Sequence, residues 1–420
     1  MPLMQPPRKN PILRTPQMNL PPWGRSRVAM GLTVAAAQGR FELQACQDCG
    51  TVQYPPREAC CACVSPRLKW VVQSGAGQLL ASTTLHHSND LFFRERLPWR
   101  LGLVQLDAGP TLMVHLHGAV GAAPVRVTVG ARLDRAGRAV VIGFPHHGSN
   151  PLETTPMADD KMLREMSCDP RMRKLLVTDA MTGVGQALVR AAVQAGAEMV
   201  WAGHAEPWKR HGSGLDDIAT LPQVSLVPLD LTNARSVTAL AGEIGGKVDI
   251  VINNAEVHRT FGIAARRGTD VAKAEMDINY FGLLRLAQEF GPALKGRAAD
   301  GRNHATAWVN LLSIYALANF PPHGTFSASK AAAHSLSQCL RAEMRPAGIR
   351  VIHAFPGPID DEWNQNMPPP KLSAAALAAA IVKALREGVE DVYPGDVAQE
   401  WLERWRDSPQ VLERELAAGG

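Results

Sequence analysis

The stretch KLLVTDAMTGVG, residues 174–185, decides how the second half of the chain folds. Residues 174–177 are mostly apolar and predict a short buried strand, and the turn that follows ends on Gly183 and Gly185 at the start of a helical pattern. A strand, a glycine-rich turn and a helix in this order direct backbone N–H groups at a helix N-terminus, where they bind phosphate. The stretch therefore predicts a nucleotide-binding α/β unit.

The same alternation of strands and helices continues toward the C-terminus. Apolar segments predict strands at 198–201, 224–227, 248–252, 306–311 and 350–354, and helices at 185–194, 273–290 and 327–345. Such alternation builds a parallel sheet with helices on both faces. We expect an α/β fold, a doubly wound parallel Rossmann domain over residues 173–420, without internal repeats.

The chain before this domain has a different character. Short segments rich in Val, Leu and Thr predict five strands, at 78–86, 101–106, 111–117, 125–133 and 139–142. Strands of this length without helices between them are typical of a small barrel or sandwich, here residues 71–146. Residues 147–172 gather Pro, Gly, Ser, Asn and mixed charges, which predicts an exposed linker. Residues 1–40 form a Pro- and Arg-rich arm with one helical pattern at 28–38.

Five of the seven cysteines lie between residues 46 and 63. Cys46, Cys49, Cys60 and Cys63 form two C-x2-C pairs, which can present four thiolates tetrahedrally to one zinc ion. A four-cysteine site is closed, so the zinc is expected to be structural and to stabilise residues 41–70. Cys61 is a bystander in this interpretation.

Composition excludes several classes of protein. The chain is 46% hydrophobic and contains neither an apolar run of eighteen residues nor a signal sequence, so we expect a cytoplasmic globular protein and no membrane contact. The 44 Lys and Arg against 39 Asp and Glu give a net charge of +5, which is too diffuse to indicate a nucleic-acid partner.

Several motifs in the first half resemble a known family. They are the run 39–46, Cys49-Gly50, Pro55-Pro56-Arg57, 83–86 and 103–106. This pattern, over about residues 28–144, resembles the bacterial and archaeal zinc-ribbon and OB-fold proteins of acyl-CoA metabolism. The resemblance implies a rubredoxin-like ribbon followed by a small OB-fold barrel. It also implies a thiolase-like or other acyl-CoA enzyme as partner and a CoA thioester as ligand.

An OB-fold also suggests an oligonucleotide ligand, which needs a basic groove with stacking aromatic side chains. The segment 92–100 approaches this, with Phe92, Phe93 and Trp99 beside Arg94, Arg96 and Arg100. We expect instead a loop over the barrel mouth and no nucleic-acid partner. An alternative is that this basic loop faces the phosphates of CoA.

The second half, about residues 174–396, resembles the short-chain dehydrogenase/reductase family. Matching positions are the glycine-turn residues Thr178, Gly183 and Gly185, then Asp230 and Asn253-Asn254-Ala255. The resemblance implies that Thr178, Gly183, Gly185, Asp230 and Asn253 bind NAD(P). The second strand ends at His204 without an acidic residue, which favours NADP over NAD.

The catalytic set of that family is matched in three of four members. Asn279, Ser313 and Lys330 correspond to the asparagine, serine and lysine of the family. Phe326 stands thirteen residues after Ser313, where the resemblance requires the tyrosine that protonates the alkoxide. A phenyl ring has no proton to donate, and loss of a general acid costs about two to four orders of magnitude in rate. Tyr315 and His323 are the nearest candidates to replace it.

Three further departures fall on the cofactor groove. Asp179 replaces the first glycine of the turn, Glu256 replaces the glycine after Ala255, and Asp361 replaces a threonine. A carboxylate at the turn opposes the helix dipole and repels a diphosphate, which argues against dinucleotide binding. We therefore expect an accessory protein of acyl-CoA metabolism with an inactive dehydrogenase-like domain. The alternative is an atypical NAD(P)-dependent 3-hydroxyacyl-CoA dehydrogenase.

Association through the second half is a further expectation from the resemblance. The leucines of helices 273–290 and 327–345 suggest a homo- or hetero-oligomer that forms through a four-helix contact; they are Leu283, Leu284, Leu286, Leu336 and Leu340. The alternative is that this stripe belongs to the domain core.

Overall fold

A computed structural model describes residues 20–22, 24–146, 156–205, 213–259, 262–265, 267–299, 306–365 and 367–418. It contains a three-stranded sheet, a closed five-stranded barrel and a seven-stranded parallel sheet. The fold class expected from the sequence is therefore confirmed. Among the helices that the structure describes, none is both long and apolar enough to cross a membrane.

The first unit is a helix followed by the cysteine-bearing sheet. Helix α1 (Met30–Ala37) falls inside the predicted segment 28–38. Strands β1 (Glu42–Cys46), β2 (Val52–Gln53) and β3 (Leu68–Val72) pair antiparallel in the order β2-β1-β3. Leu32 and Leu43 are buried in the core of the following barrel, so the ribbon and barrel share one core.

The barrel is formed by the five predicted strands. They are β4 (Ala76–Leu85), β5 (Trp99–Leu106), β6 (Thr111–Leu116), β7 (Val125–Leu133) and β8 (Ala139–Pro145), closed in the order β4-β5-β6-β8-β7. Alternate residues such as Leu79, Val104 and Val127 point inward. The short helix α2 (Leu91–Arg94) lies between β4 and β5.

The second half forms a doubly wound sheet in the order β11-β10-β9-β12-β13-β14-β15, with every pair parallel. Its strands are β9 (Lys174–Val177), β10 (Met199–His204), β11 (Val224–Pro228), β12 (Ile250–Asn253), β13 (Ala307–Leu311), β14 (Arg350–Ala354) and β15 (Asp391–Val392). The sequence predicted the first six of these and missed β15, because two residues are too few to show a pattern.

Helices cover both faces of this sheet. They are α3 (Gly183–Gln194), α4 (Ser213–Ala219), α5 (Ala234–Ile244), α6 (Asp270–Met276), α7 (Leu283–Ala299), α8 (Gly324–Met344), α9 (Ala374–Glu387), α10 (Asp396–Asp407) and α11 (Pro409–Ala418). Helices α3, α4 and α9 bury side chains on one face, and α5, α7 and α8 bury theirs on the other. A π-helical turn, Asp277–Gly282, joins α6 to α7.

The leucine stripe chosen for an oligomer contact lies mostly in this core. Leu283, Leu286 and Leu340 are buried against the sheet, and Leu336 packs against the same cluster. The stripe is explained by burial within one chain, as the alternative interpretation held. Association through α7 and α8 stays a prediction that these residues no longer support.

The predicted exposed linker is largely buried where the structure describes it, from residue 156 onward. Met157, Leu163 and Met166 pack with Trp99 and Phe144 against the outside of the barrel. Pro, Ser and charged residues misled the sequence prediction, because the apolar residues between them have no regular period. This segment therefore joins the two halves as packed structure.

One arginine completes the junction. Arg350, at the start of β14, is only 6% exposed. Its Nη1 donates to the carbonyl of Met166 at 2.9 Å, and its Nη2 donates to the carbonyls of Leu133 and Asp134 at 2.9 and 3.2 Å. Glu390 lies 3.8 Å from its Nε. The Rossmann domain thus supplies donors to carbonyls of the barrel's β7–β8 turn.

Candidate functional site

The four predicted zinc ligands come together. The Sγ atoms of Cys46, Cys49, Cys60 and Cys63 all lie within 4.8 Å of one another. Cys46 and Cys63 are 3.6 Å apart, as are Cys49 and Cys60. Soft thiolates in a compact set of four match the tetrahedral preference of zinc. The residues therefore fit a structural zinc ion.

The glycine turn keeps its architecture. Thr178 Oγ1 donates to Asn253 Oδ1 at 3.1 Å and accepts from the N–H groups of Asn254 and Ala255. Asn254 Nδ2 in turn donates to the carbonyl of Asp179 at 3.1 Å. These polar groups join the ends of β9 and β12, so their presence follows from the fold alone.

Asp179 occupies this turn in a left-handed conformation, with φ of 50°. Burial raises the pKa of its carboxyl to about 6, and the charges of Glu256 and Glu362 add to the rise. Ionisation of this carboxyl is unfavourable, and the negative charge that it carries once ionised would repel an incoming diphosphate. That Asp179 weakens dinucleotide binding stays a prediction.

Lys330 is already neutralised from within the protein. Its Nζ lies 2.7 Å from Glu256 Oε2 and donates to the carbonyl of Leu311 at 3.0 Å. The lysine side chain is 2% exposed and that of Glu256 is 19% exposed. Two ammonium hydrogens are thus engaged by protein oxygen atoms. Glu256 thus neutralises the ammonium group that a bound ribose would otherwise contact.

Phe326 closes the position of the missing tyrosine. Its ring stacks on His258, with centroids 3.8 Å apart and planes 15° from parallel. Lys330 Nζ lies 5.5 Å from the ring centroid. His258 also shares a hydrogen bond between its Nε2 and Nδ1 of His323. The ring therefore belongs to a packed aromatic and imidazole cluster, of which His258 was missed by the sequence analysis.

The other matched residues have structural partners. Asn279 accepts from the N–H of Val257 and donates to the carbonyl of Val257 and to Ser329 Oγ, at 2.9, 2.9 and 2.8 Å. Ser313 Oγ accepts from the N–H of Tyr315 at 3.2 Å. Asp230 accepts from Thr232. All three residues therefore have hydrogen-bond partners within the protein; their family roles stay predictions.

The two candidates for a replacement acid are both buried. Tyr315 Oη and His323 Nε2 have no hydrogen-bond partner among the described residues. Burial raises the pKa of Tyr315 and lowers that of His323 to about 4. Burial, with His323, Lys330 and Arg259 adding to the effect, lowers the pKa of His258 to about 3. Near neutral pH this cluster is therefore uncharged.

Little open space remains at the reaction position. The cavity between Ser313, Tyr315, Phe326 and Gly357 measures about 20 Å³, which accommodates about one water molecule. Asp361 does not line it. Its carboxylate accepts from the N–H groups of Trp363 and Asn364 at 3.0 and 3.1 Å, which caps a short helical turn. Asp361, which stands where the family has a threonine, thus has a structural role.

The basic loop, residues 92–100, is also held by contacts within the protein. Phe92 and Trp99 are buried, Arg96 pairs with Glu165 at 2.9 Å, and Arg100 donates to three carbonyls between residues 117 and 120. These aromatic rings do not form an exposed stacking surface. The arrangement is that of a loop packed over the barrel mouth.

Three stretches of the chain match known families. Residues 33–68 match the family described as "ChsH2, rubredoxin-like zinc ribbon domain", and residues 70–138 match "ChsH2, C-terminal OB-fold domain". Residues 173–371 match the short chain dehydrogenase family. The suspected fusion of these three domains is confirmed.

The dehydrogenase-like part of the chain is similar to several known proteins. Dehydrogenase/reductase SDR family member 7C from Bos taurus is 32% identical over 257 residues, covering 57% of this chain and 75% of that protein. Member 7B from Mus musculus is 32% identical over 199 residues, covering 46% of this chain. The chain spans 59% of the length of the mouse protein.

A solved structure is similar as well. A short chain dehydrogenase from Burkholderia cenocepacia in complex with NADP has 35% identity and a TM-score of 0.53. The match covers 59% of this chain and 98% of that one.

The cysteine geometry predicts about one zinc ion per chain. Cys60→Ser removes one thiolate and should lower the zinc content measured by elemental mass spectrometry to well below one. The matched control is Cys61→Ser, which changes an exposed neighbour outside the cluster and should retain zinc. A folded wild-type sample without zinc would contradict the assignment.

The raised pKa of Asp179 predicts a pH-dependent stability. Folding disfavours the ionised form of Asp179. The contribution of this carboxyl to the free energy of unfolding is therefore fully present below about pH 4 and is lost as the pH rises through about 6. Asp179→Asn should therefore raise the free energy of unfolding at pH 8 by up to about 3 kcal/mol and change it little at pH 4. Urea denaturation at both pH values measures the difference.

The control for this experiment is Asp216→Asn, which makes the same change on the exposed surface of α4. Its effect should be small at both pH values. An equal gain for Asp179→Asn at pH 4 and pH 8 would mean that the buried charge is not the cause.

Proposed function

Because the chain belongs to the short-chain dehydrogenase/reductase family, with a zinc ribbon and an OB-fold barrel in front, we propose that it is an accessory protein of acyl-CoA metabolism. Its dehydrogenase-like domain serves assembly and does not transfer hydride. The observation that carries this proposal is the 2.7 Å ion pair between Glu256 and Lys330, beside the phenyl ring of Phe326. Lys330, which would bind the ribose, is already paired with Glu256. Phe326, which would face the substrate, has no proton to donate.

The physical argument rests on competition. A dinucleotide would have to replace Glu256 at Lys330 and meet the carboxylate of Asp179 at the diphosphate. Breaking a pair with a buried partner costs several kcal/mol when the freed charge is not matched again. A neutral ribose hydroxyl is a poorer partner for ammonium than a carboxylate is. Binding is therefore expected to be weak before the loss of the acid at Phe326 is considered.

The barrel supports the acyl-CoA part of the proposal. A cavity of about 340 Å³ opens between Leu85, Phe93, Leu97, Leu101 and Met113. Apolar walls of this size suit an acyl chain or a pantetheine arm, and cavities of about 300 to 1,000 Å³ are usual for small ligands. We propose a CoA thioester as the ligand of this cavity.

An exposed apolar strip on the barrel suits a thiolase-like partner. Leu80, Leu103 and Met113 are 47%, 41% and 67% exposed. Leu103 faces Met113 across the β5–β6 pair, and Leu80 lies at the irregularity beside it in β4. A contiguous apolar strip on a sheet marks an interaction surface. We propose that an acyl-CoA enzyme covers it.

A second candidate function is an NADP-dependent dehydrogenase. It is favoured by the 35% identity to a short chain dehydrogenase in complex with NADP, and by Asn279, Ser313 and Lys330 at matching positions. In this alternative, Glu256 moves away when cofactor binds and Tyr315 supplies the proton. The burial-raised pKa of Tyr315 makes it a reluctant donor.

Titration with NADPH, followed by nicotinamide fluorescence, separates the two candidates. The wild-type chain should not saturate below about 1 mM, the upper end of ordinary enzyme affinities. Phe326→Tyr alone should restore little, because a proton donor is useless without bound hydride. Adding Asp179→Gly and Glu256→Gly should restore NADPH binding first and ketone reduction second. Micromolar affinity with measurable reduction by the wild type would establish the dehydrogenase instead.

Partner binding is tested with the thiolase-like enzyme encoded nearest to this gene. Co-elution of the two purified proteins is expected at micromolar concentration. Leu103→Asp places a charge in the apolar strip and should weaken the complex by about tenfold or more. The control Val411→Asp makes a similar change at an exposed residue of α11 and should leave binding intact. Failure of the wild-type proteins to associate would reject the proposed partnership.

A further inference from the structure

A cavity of about 580 Å³ lies between the barrel and the Rossmann domain. Its walls come from the β7–β8 turn, from residues 158–173 and from the start of β14. Asp249 and Thr306, which precede β12 and β13, also line it. The cavity therefore lies at the amino edge of the parallel strands, at the opposite end of the sheet from the cofactor groove. Its volume is in the range of small-molecule sites.

The charges in this cavity do not balance. Its basic side chains are Arg135, Lys161, Arg164, Arg171, Arg173, Arg345 and Arg350, and its acidic ones are Asp134, Glu165, Asp169, Asp249 and Glu390. Three of these acids pair with arginines outside the lining: Glu165 with Arg96 at 2.9 Å, Asp169 with Arg386 at 3.8 Å and Asp249 with Arg297 at 2.7 Å. Only one of the cations, Arg171, has an ion-pair partner outside the lining among the described residues, Asp159 at 2.5 Å. The cavity therefore keeps a surplus of positive charge.

Arg135 is the most telling of these cations. It forms no hydrogen bond or ion pair within the part of the chain that the structure describes, and its Nη1 is buried without a partner. The guanidinium lies against Gly348, whose φ is 72°; a Cβ there would lie 2.8 Å from Arg135 Nε. Burial lowers the pKa of Arg135; Glu165, which pairs with Arg96, opposes this shift, and the charges of Arg96 and Arg173 add to it. An unsatisfied cation of this kind is costly unless an anion meets it.

Lys161 is a second cation without an assigned partner. It is exposed at the cavity edge and has no carboxylate within 4.0 Å among the described residues. Its flexible stem suits a point contact with an anion, whereas the planar guanidinium of Arg135 suits two phosphate oxygen atoms at once. The two side chains thus offer complementary contacts to one ligand.

We infer that this interdomain cavity binds a small molecule bearing a phosphate or diphosphate group, held by Arg135 and Lys161. Arg135 belongs to the barrel, while the opposite wall belongs to the Rossmann domain. The bound anion would therefore bridge the two domains and stabilise their junction. The site is separate from the proposed thioester cavity and from the cofactor groove, so it does not depend on the proposed function.

The test uses the full chain and two probes, inorganic pyrophosphate and ADP, in isothermal titration at low and high salt. Both should bind, and the affinity should fall as salt screens the contact. Arg135→Ala should weaken binding by about tenfold or more, the usual effect of losing a hydrogen bond to a charged group. Lys161→Glu reverses an exposed charge without affecting packing and should also weaken binding.

The matched control is Arg126→Ala, which removes an exposed barrel arginine that pairs with Asp107 away from the cavity. It should retain wild-type affinity. ADP binding much more tightly than pyrophosphate identifies a nucleotide as the ligand, and equal affinities identify the phosphate groups alone. No saturable binding of either probe, or binding that neither Arg135→Ala nor Lys161→Glu weakens, would overturn the inference.

Discussion

The junction between the barrel and the Rossmann domain depends on the buried guanidinium of Arg350. It contributes donors to three carbonyls from the β7–β8 turn and from residue 166, while Glu390 balances its charge. Removing a buried charge from such a set leaves several polar groups unsatisfied, at a cost of about 3 to 5 kcal/mol. Because these contacts are directional, they set the barrel at one angle to the sheet. The interdomain cavity lies beside these contacts, since Arg350 itself lines it.

In the cofactor groove, at the other end of the sheet, the residues that depart from the family pattern affect one another. Glu256 brings a carboxylate beside Lys330 and also beside Asp179, whose pKa it helps to raise. Phe326 removes a hydroxyl from the same pocket and gains a stacking contact with His258. These residues lie far apart in sequence, yet each alters the electrostatics or packing of another. The departures from the family pattern are therefore a connected set.

Local patterns were sufficient to predict the three domains. Strands, glycine turn and cysteine pairs depend on neighbours within about a dozen residues, so their spacing reveals them. The Glu256–Lys330 pair and the His258–His323 contact join distant segments, and no spacing rule identifies such contacts. Residues 156–172 were misjudged as exposed because their composition resembles a linker. Their burial depends on the outer face of the barrel, which the sequence of the segment itself does not describe.

Residues that match the family motif differ in what their presence means. A Cβ at Gly185 would lie 2.2 Å from the carbonyl oxygen of Asp179, so glycine is required there whether or not a cofactor binds. Thr178 and Asn253 likewise bond to each other. Positions 256, 326 and 361 have acquired contacts within the protein in place of contacts with a ligand. Asp179 lacks such compensation: its carboxylate has no hydrogen bond or ion pair among the described residues, and burial raises its pKa. Its charge is therefore the first obstacle that an incoming diphosphate would meet.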